Sequence, residues 1–595
     1  MDPSPSSQYI VVGGGTAGLV VASRLSEDPG VDVLVLEAGR DLSEDPRIMT
    51  PALWTTLMGS DADWRFRTVS QPGLGDRCIW EPQGKALGGS SAINGQAFIA
   101  PGRADIDAWA ALGNVGWDWA GLVPFYKKVY TLVPPPDPAT REFLGIDWID
   151  DDFRGTSGPI KVSFPGTVSN LTCKAWIDAF RSLNKLTTAD PFSGNSVGAY
   201  SSLATLDPET KTRSYSGSTH GMTILQRPNV RLLTAAMARK ILFAETPAGV
   251  RATGVQAEVG GELKTFTASR EVIVAAGAFN TPKLLELSGI GRKELLERHA
   301  IPVIVDLPGV GEKLQDHLLT AVSYEAADGI ATMDGLVRQE PEAVAAAQKL
   351  YAEDKAGPLT LGGIQSHAFM PLANFDVAGL LAECPSRPGD EEHCRVVGSI
   401  IRQPDQCSAG WSLFPCQVNL HKAKESFLGS QPLPENYISF CCSQAYPFSR
   451  GSTHISSADA DAAPEIDPCF LSHPADLEIM ARQIQSFETL RQTEKMKALL
   501  KPNGKRNHPD AFHITSLEGA KKYIRDTGLG TYHSCGTAAM MPRDKEGVVD
   551  TRLVVYGTEN VRVVDASIFP LIPRGNIVST VYAVAEKAAD IIRGR

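Results

Sequence analysis

The chain is expected to fold as an α/β protein of two domains, and three observations carry that expectation. A glycine-rich turn joins an apolar run to a helical one near the N-terminus. Further buried-strand runs recur near residues 270 and 560, and proline-punctuated segments with strand alternation lie between them.

The first apolar run, Tyr9-Ile10-Val11-Val12, stops at glycine, after which Leu19, Val20 and Leu25 resume at helical spacing. The turn between reads G-x-G-x-x-G. Gly13 permits the tight turn, Gly15 lets a pyrophosphate approach the backbone, and Gly18 lets the helix pack on the strand. The helix N-terminus then offers free N–H groups to an anion. A second apolar strand, VDVLVLEAG (31–39), ends at Glu37, about 20 residues past the turn, where an acceptor for a ribose hydroxyl belongs. An adenine dinucleotide is the ligand this pattern predicts.

The later elements follow the same logic. REVIVAAGAFNTPKLLELSGIG (270–291) predicts a buried strand from Glu271 to Ala275 and then a helix, and NVRVVDASIFP (560–570) a further strand. LPENYISFCCSQAYP (433–447) and GSTHISSAD (451–459) suit an antiparallel sheet. The nucleotide domain is therefore expected to be discontinuous, over 1–150, 215–320 and 525–595. The second domain takes 150–215 and 320–525, with the ligand pocket at the shared interface. Within it, 336–360 reads as helix and LLAECPSRPGDEEHCRVVG (380–398) as loop. This insertion, around 325–430, is where substrate identity is expected to reside.

Composition excludes several partners. With 57 Lys+Arg against 68 Asp+Glu the net charge is −11 and no basic cluster stands out, which argues against nucleic acid and anionic membrane surfaces. No apolar run approaches the length of a membrane span. Met1 is followed by DPSPSSQ and then directly by the first strand, without a charged or apolar leader, so a cytoplasmic location is expected, a leader removed ahead of this numbering staying open. Ten cysteines, with no C-x-x-C and with Cys441 and Cys442 adjacent, read for the most part as buried thiols. The sequon Asn170-Leu171-Thr172 is the single feature that would suit secretion.

Several longer motifs resemble the glucose-methanol-choline (GMC) flavoprotein oxidoreductases over nearly the whole chain. GKALGGSSAINGQAFIAPGRADIDAWAALGNVGWDW (84–119) looks like the family's first signature and GAFNTPKLLELSGIG (277–291) like its second. LPGVGEKLQDH (307–317) resembles the segment that follows, and SRGSTHISSADADAAPEIDPCFLSHPAD (449–476) the C-terminal substrate-domain strands. YHSCGTAAM (532–540) and VRVVDASIFPLIPRGNIVSTVYAVAEKAADII (561–592) close the match. The resemblance implies a Rossmann-like FAD-binding domain plus a substrate domain with an antiparallel sheet flanked by helices. It implies FAD contacts at Gly13, Gly15, Thr16, Ala17, Gly18, Glu37, Ala38, Gly88, Gly89, Asn94, Gly95, Ala97, Ala238, Ala276, Tyr532, Asp565, Ala566 and Ile577. Some relatives link a histidine covalently to the flavin; that position is Ile93 here, so noncovalent FAD is expected.

Oxidising an alcohol carbon requires removal of the hydroxyl proton, for which a histidine with a pKa near neutrality is suited. The resemblance gives that role to His533. Asn576 takes the second active-site position, where an amide N–H can stabilise the developing alkoxide without titrating. Relatives that oxidise formate carry arginine there; Arg574 lies two residues earlier, so an acid substrate is disfavoured. The chain departs from the family in having Ser534 and Cys535 after the histidine. No second Cys/His group completes a zinc site with Cys535, so no metal is expected. GNSVG (194–198) fits the hydrolase motif G-x-S-x-G at Ser196, but no apolar strand precedes it. A nicotinamide dehydrogenase fits the first turn yet leaves the flavin-family motifs unexplained. The expected reaction is oxidation of a small-molecule alcohol to its carbonyl, with molecular oxygen as one candidate electron acceptor and the chain a monomer or homodimer. A non-redox lyase or dehydrating cyclase on the same FAD scaffold is the alternative.

Overall fold

The computed structural model describes residues 6–165, 171–247, 249–372, 375–423 and 431–594, and Asn170 of the sequon lies outside them. Two sheets dominate. In the first, Ser6–Val12 runs parallel to Val33–Leu36 on one side and to Glu262–Val274 on the other. Val230–Leu233 and Val561–Val563 extend this parallel core at its two edges. Ile10, Val11, Val33, Leu34, Val35, Val272 and Ile273 are all buried, as befits a parallel sheet covered on both faces. The helices Thr16–Leu25 and Val578–Ile592 pack against each other beside it.

The strand predicted over Glu271 to Ala275 is the end of a much longer one, Glu262–Val274. Its first half pairs antiparallel with Gly249–Val259, and that strand pairs with Ala236–Thr246. The polar alternation of GELKTFTAS conceals this half, because it is solvated on one face whereas the second half enters the core.

Gly13 and Gly18 show why the turn needs glycine. Gly13 has φ +108°, and a Cβ at Gly18 would lie 1.9 Å from the Gly13 carbonyl oxygen. A backbone atom cannot yield as a side chain can, so Gly18→Ala is expected to destabilise the fold by about 1–3 kcal/mol, read as a lowered urea midpoint.

The second sheet is antiparallel throughout, in the order Leu529–Gly530, Leu318–Glu325, Tyr437–Gln444, Ala409–Phe414, Ser366–Met370 and Gly198–Ser201. Leu529–Gly530, within the 525–595 stretch expected in the nucleotide domain, joins this sheet; two residues carry too little pattern to reveal it. Gly451–His454, read as suiting an antiparallel sheet, pairs antiparallel with Glu312–Leu314 and Glu465–Asp467 in a small sheet of its own. Away from the first sheet, Trp176, Phe440, Trp411 and Phe487 pack edge to face, with ring centroids 5.0–6.3 Å apart.

Helix Pro341–Asp354 falls inside the stretch expected to be helical. The expected loop 380–398 is instead largely helix, Val377–Glu383 and Glu391–Ile401, with only 384–390 between. Asp376 caps the first by accepting from Gly379 N at 2.9 Å, and Val396, Val397, Ile400 and Ile401 bury one stripe of the second. All ten cysteines are free; Cys441 and Cys442, being consecutive in a strand, point to opposite faces and cannot bridge. No helix among the described residues is long and apolar enough to cross a membrane.

Candidate active site

A cavity of about 330 Å³ lies between the two sheets. It is lined by Gly13, Gly15, Thr16, Ala17, Glu37, Ala38 and Ala238, by Gly89, Ile93, Asn94, Gly95, Ala97, Ala276, Asp565 and Ala566, and by Tyr532, His533, Asn576 and Ile577. Gly18 and Gly88 do not line it. Gly18 is a packing glycine, as above. Gly88 has φ +98°, and a Cβ there would strike the Tyr215 ring at 2.5 Å, so its need for glycine lies in loop packing rather than in contact with a ligand.

The glycine turn and Glu37 fit an adenine dinucleotide on their own geometry. A Cβ on Gly15 would meet nothing nearer than 3.7 Å, which leaves the start of helix Thr16–Leu25 open to the cavity. The Glu37 carboxylate accepts from Gly14 N at 2.8 Å and Gly39 N at 2.7 Å. Each oxygen keeps a second lone pair for a ribose hydroxyl. Burial raises the Glu37 pKa to about 7, against those two hydrogen bonds. Asp565 is committed to the protein: it accepts from Gly277 N at 2.9 Å, Thr281 Oγ1 at 2.6 Å and Ser567 N at 2.8 Å. It shapes the cavity wall through those turns.

His533 follows Tyr532, whose φ of +65° is strained for a non-glycine residue and turns the chain at the cavity. Asn576 Nδ2 lies 3.0 Å from His533 Nε2. His533 Nδ1 lies 3.0 Å from His317 Nδ1 and 2.8 Å from Thr531 Oγ1, and His317 Nε2 lies 3.1 Å from the Ala445 carbonyl oxygen. These contacts assign the tautomers. The Ala445 carbonyl can only accept, so His317 carries its proton on Nε2 and accepts at Nδ1; an amide N–H of Asn576 can only donate, so Nε2 of His533 is the bare nitrogen. His533 is thus held neutral, its Nδ1–H shared between His317 and Thr531 and its Nε2 lone pair facing Asn576.

The neutral pKa expected for the base is corrected here. Burial lowers His533 to about 3, by desolvation of the imidazolium. The carboxylate nearby serves the backbone. Asp316 Oδ1 accepts from His533 N and His317 N, both at 2.8 Å. A Cβ on Gly530 would fall 2.7 Å from Asp316 Oδ2 and 2.5 Å from Glu81 Oε1, so the two buried carboxyls face one another across that glycine. Burial raises Asp316 to about 7, and burial with the Asp316 charge raises Glu81 well above the carboxylate range, which suits a pair sharing one proton.

His317, Thr531, Asp316 and Glu81 are given no role in the sequence reading, although Asp316 and His317 close the quoted motif LPGVGEKLQDH. The one available signal is Asp316-His317 standing directly before the apolar strand LLTAVSY. Arg574 lies outside the cavity, fully buried, donating to Ser196 Oγ at 2.7 Å with its backbone N–H to Asp105 at 3.0 Å. Ser196 is therefore an internal ligand of that guanidinium, not an exposed nucleophile. Cys535 is buried, its thiol pushed well up by desolvation. Among the described residues it joins no group of potential metal ligands.

A family model described as GMC oxidoreductase matches residues 7–319, and a second of the same description matches residues 447–585. The chain belongs to the GMC oxidoreductase family. Membership makes it an FAD-dependent oxidoreductase acting on a small molecule. The dehydrogenase citC of Monascus ruber is 34% identical over 614 residues, spanning 98% of this chain and 96% of that one. Among solved structures, an FAD-dependent oxidoreductase from Chaetomium thermophilum superposes with TM-score 0.86 at 29% identity, covering 99% of both chains. A fungal aryl-alcohol oxidase superposes with TM-score 0.83 at 29% identity, covering 98% of each. The mixed α/β architecture, a Rossmann-like FAD-binding part with a sheet-and-helix substrate part, is that of this GMC family.

Proposed function

We propose that the protein oxidises a primary or secondary alcohol to its carbonyl, with His533 as the base and Asn576 as the oxyanion donor. The observation that carries this reading is the pairing of a bare His533 Nε2 with the Asn576 amide at 3.0 Å, on the wall of a cavity whose glycine turn and Glu37 suit a dinucleotide. Bound in that cavity, FAD supplies a two-electron acceptor for the carbinol hydride. The chain's own groups deal with the proton. A substrate hydroxyl entering between the two side chains donates to Nε2 while the Asn576 N–H turns to its oxygen. As the C–H bond weakens the hydroxyl grows acidic and its proton passes to Nε2. His317 and Thr531 keep accepting from Nδ1–H throughout, which fixes the ring and steadies the imidazolium.

We divide the labour between the sheets accordingly: the parallel sheet and its glycine turn hold FAD, and the antiparallel sheet forms the substrate wall. Anaerobic mixing with a panel of alcohols, aldehydes and acids tests the reading. Loss of the oxidised flavin's visible absorbance with alcohols supports it. Turnover of a substrate without any such loss would establish the lyase or cyclase alternative instead.

The buried, apolar Ile93 at the position of the covalent link supports a dissociable cofactor. Acid precipitation of the holoenzyme is expected to release the flavin into the supernatant. Colour retained in the pellet would refute noncovalent binding.

A further inference from the structure

The antiparallel sheet turns one face to the cavity, and strand register fixes which side chains it presents. Tyr200, His367, Ser412 and Cys441 form one row across four strands; Phe369, Gly410, Ser443 and Leu319 form the next. His367, Gly410, Ser412, Ser443 and Leu319 line the cavity.

His367 is the anomaly in this wall. It is 5% exposed, and neither of its ring nitrogens has a hydrogen-bond partner. Its ring is gripped edge to face by Tyr200 at 5.6 Å and Phe369 at 4.6 Å, contacts that position the imidazole without using a nitrogen. A buried polar atom left unpaired is a standing cost to the fold, and two on one well-positioned ring call for an explanation. Gly410 adds to it. A Cβ there would sit 3.1 Å from His367 Cε1 and 3.4 Å from Nε2, so glycine keeps the space before that edge clear.

The charge state narrows the ligand. Burial and the nearby Arg574 charge lower the His367 pKa to about 3, so the ring stays neutral and offers one N–H and one lone pair. That combination complements a hydroxyl, which both donates and accepts, better than a carboxylate or an ammonium. Trp54, Ile364, Leu319 and Phe414 supply flat apolar walls to the same cavity.

We propose that His367 recognises a second hydroxyl on the substrate, so that the substrates are aromatic alcohols carrying a phenolic group besides the carbinol that is oxidised. This rests on the alcohol-oxidising reading above for its chemistry, but the recognition itself can be measured without turnover.

The test compares benzyl alcohol with ortho-, meta- and para-hydroxybenzyl alcohol, in kcat/KM and, separately, in calorimetric binding of the matching aldehydes to resting holoenzyme. Wild type is expected to favour at least one phenolic isomer by about tenfold or more, chiefly through KM, with the same isomer preferred in binding. In His367→Phe both preferences should fall towards unity; in His367→Asn, which restores a neutral donor and acceptor, part of the preference should return. Flavin content and circular dichroism of each variant identify misfolding, and the Asn variant decides the matter where the Phe variant fails to fold. Absence of any phenolic preference in wild type, or its persistence in the folded variants, overturns the proposal. If binding shows the preference and its loss while no alcohol reduces the flavin, the recognition stands and the oxidation reading fails.

Discussion

Replacing His533 with alanine is expected to slow flavin reduction by alcohol by about 10²–10⁴, the usual worth of a positioned base, while FAD stays bound. The cofactor should remain because the features that fit it, the Gly13–Gly18 turn and Glu37, make no hydrogen bond to His533, whose ring partners are His317, Thr531 and Asn576. The pH dependence supplies a second measurement. Because the pKa is lowered to about 3, His533 is neutral and competent at every pH above that value, and its protonation removes activity only as the pH falls towards it. The reductive rate in wild type should therefore lack an acid limb near 6.5, the ordinary histidine value. Stopped-flow reduction from pH 5 to 8 reads this directly. A limb near 6.5 that vanishes in His533→Ala would mean that the bound substrate or cofactor reverses the desolvation. Unchanged reduction in His533→Ala would mean that another group takes the proton.

What could be read in the sequence was whatever leaves a local mark. The glycine turn, the strand ending at Glu37 and the runs near 270 and 560 each combine apolar periodicity with a conformation that only a few residues allow, so a short window suffices. The surroundings of His533 leave no such mark. Glu81, Asp316 and Thr531 come from three distant stretches, and their pairing exists only once the loops close over Gly530. The neutral pKa expected for His533 failed for the same reason: residue type sets the starting value, while burial sets the result. Gly88 shows the converse. It sits in a motif full of cavity-lining positions, yet the Tyr215 ring accounts for its need for glycine. The segment 380–398 misled because a short Pro- and Gly-rich link, 384–390, masks the helical stripe that follows.

Asn576→Ala is expected to cost less than the loss of His533, about 10²–10³ in the reductive rate, the effect of removing one oxyanion donor. The asymmetry follows from what each side chain can do. An amide cannot take a proton, so its removal leaves the base in place and withdraws only the N–H that meets the developing alkoxide. The flat pH profile of wild type should persist in Asn576→Ala, because the residue removed does not titrate. The contact at 3.0 Å adds one further consequence. In the resting protein Asn576 occupies the Nε2 lone pair, so deleting it frees that nitrogen and opens room for water or for a deeper substrate pose. Asn576→Asp separates the two roles: it keeps the size, but as a carboxylate it places a negative charge where the alkoxide forms and beside the imidazole. That charge should raise the His533 pKa and slow reduction more than alanine does, and an acid limb absent from wild type should then appear. If Asn576→Asp matched wild type in rate and pH profile, the amide would not be the donor to the reacting oxygen.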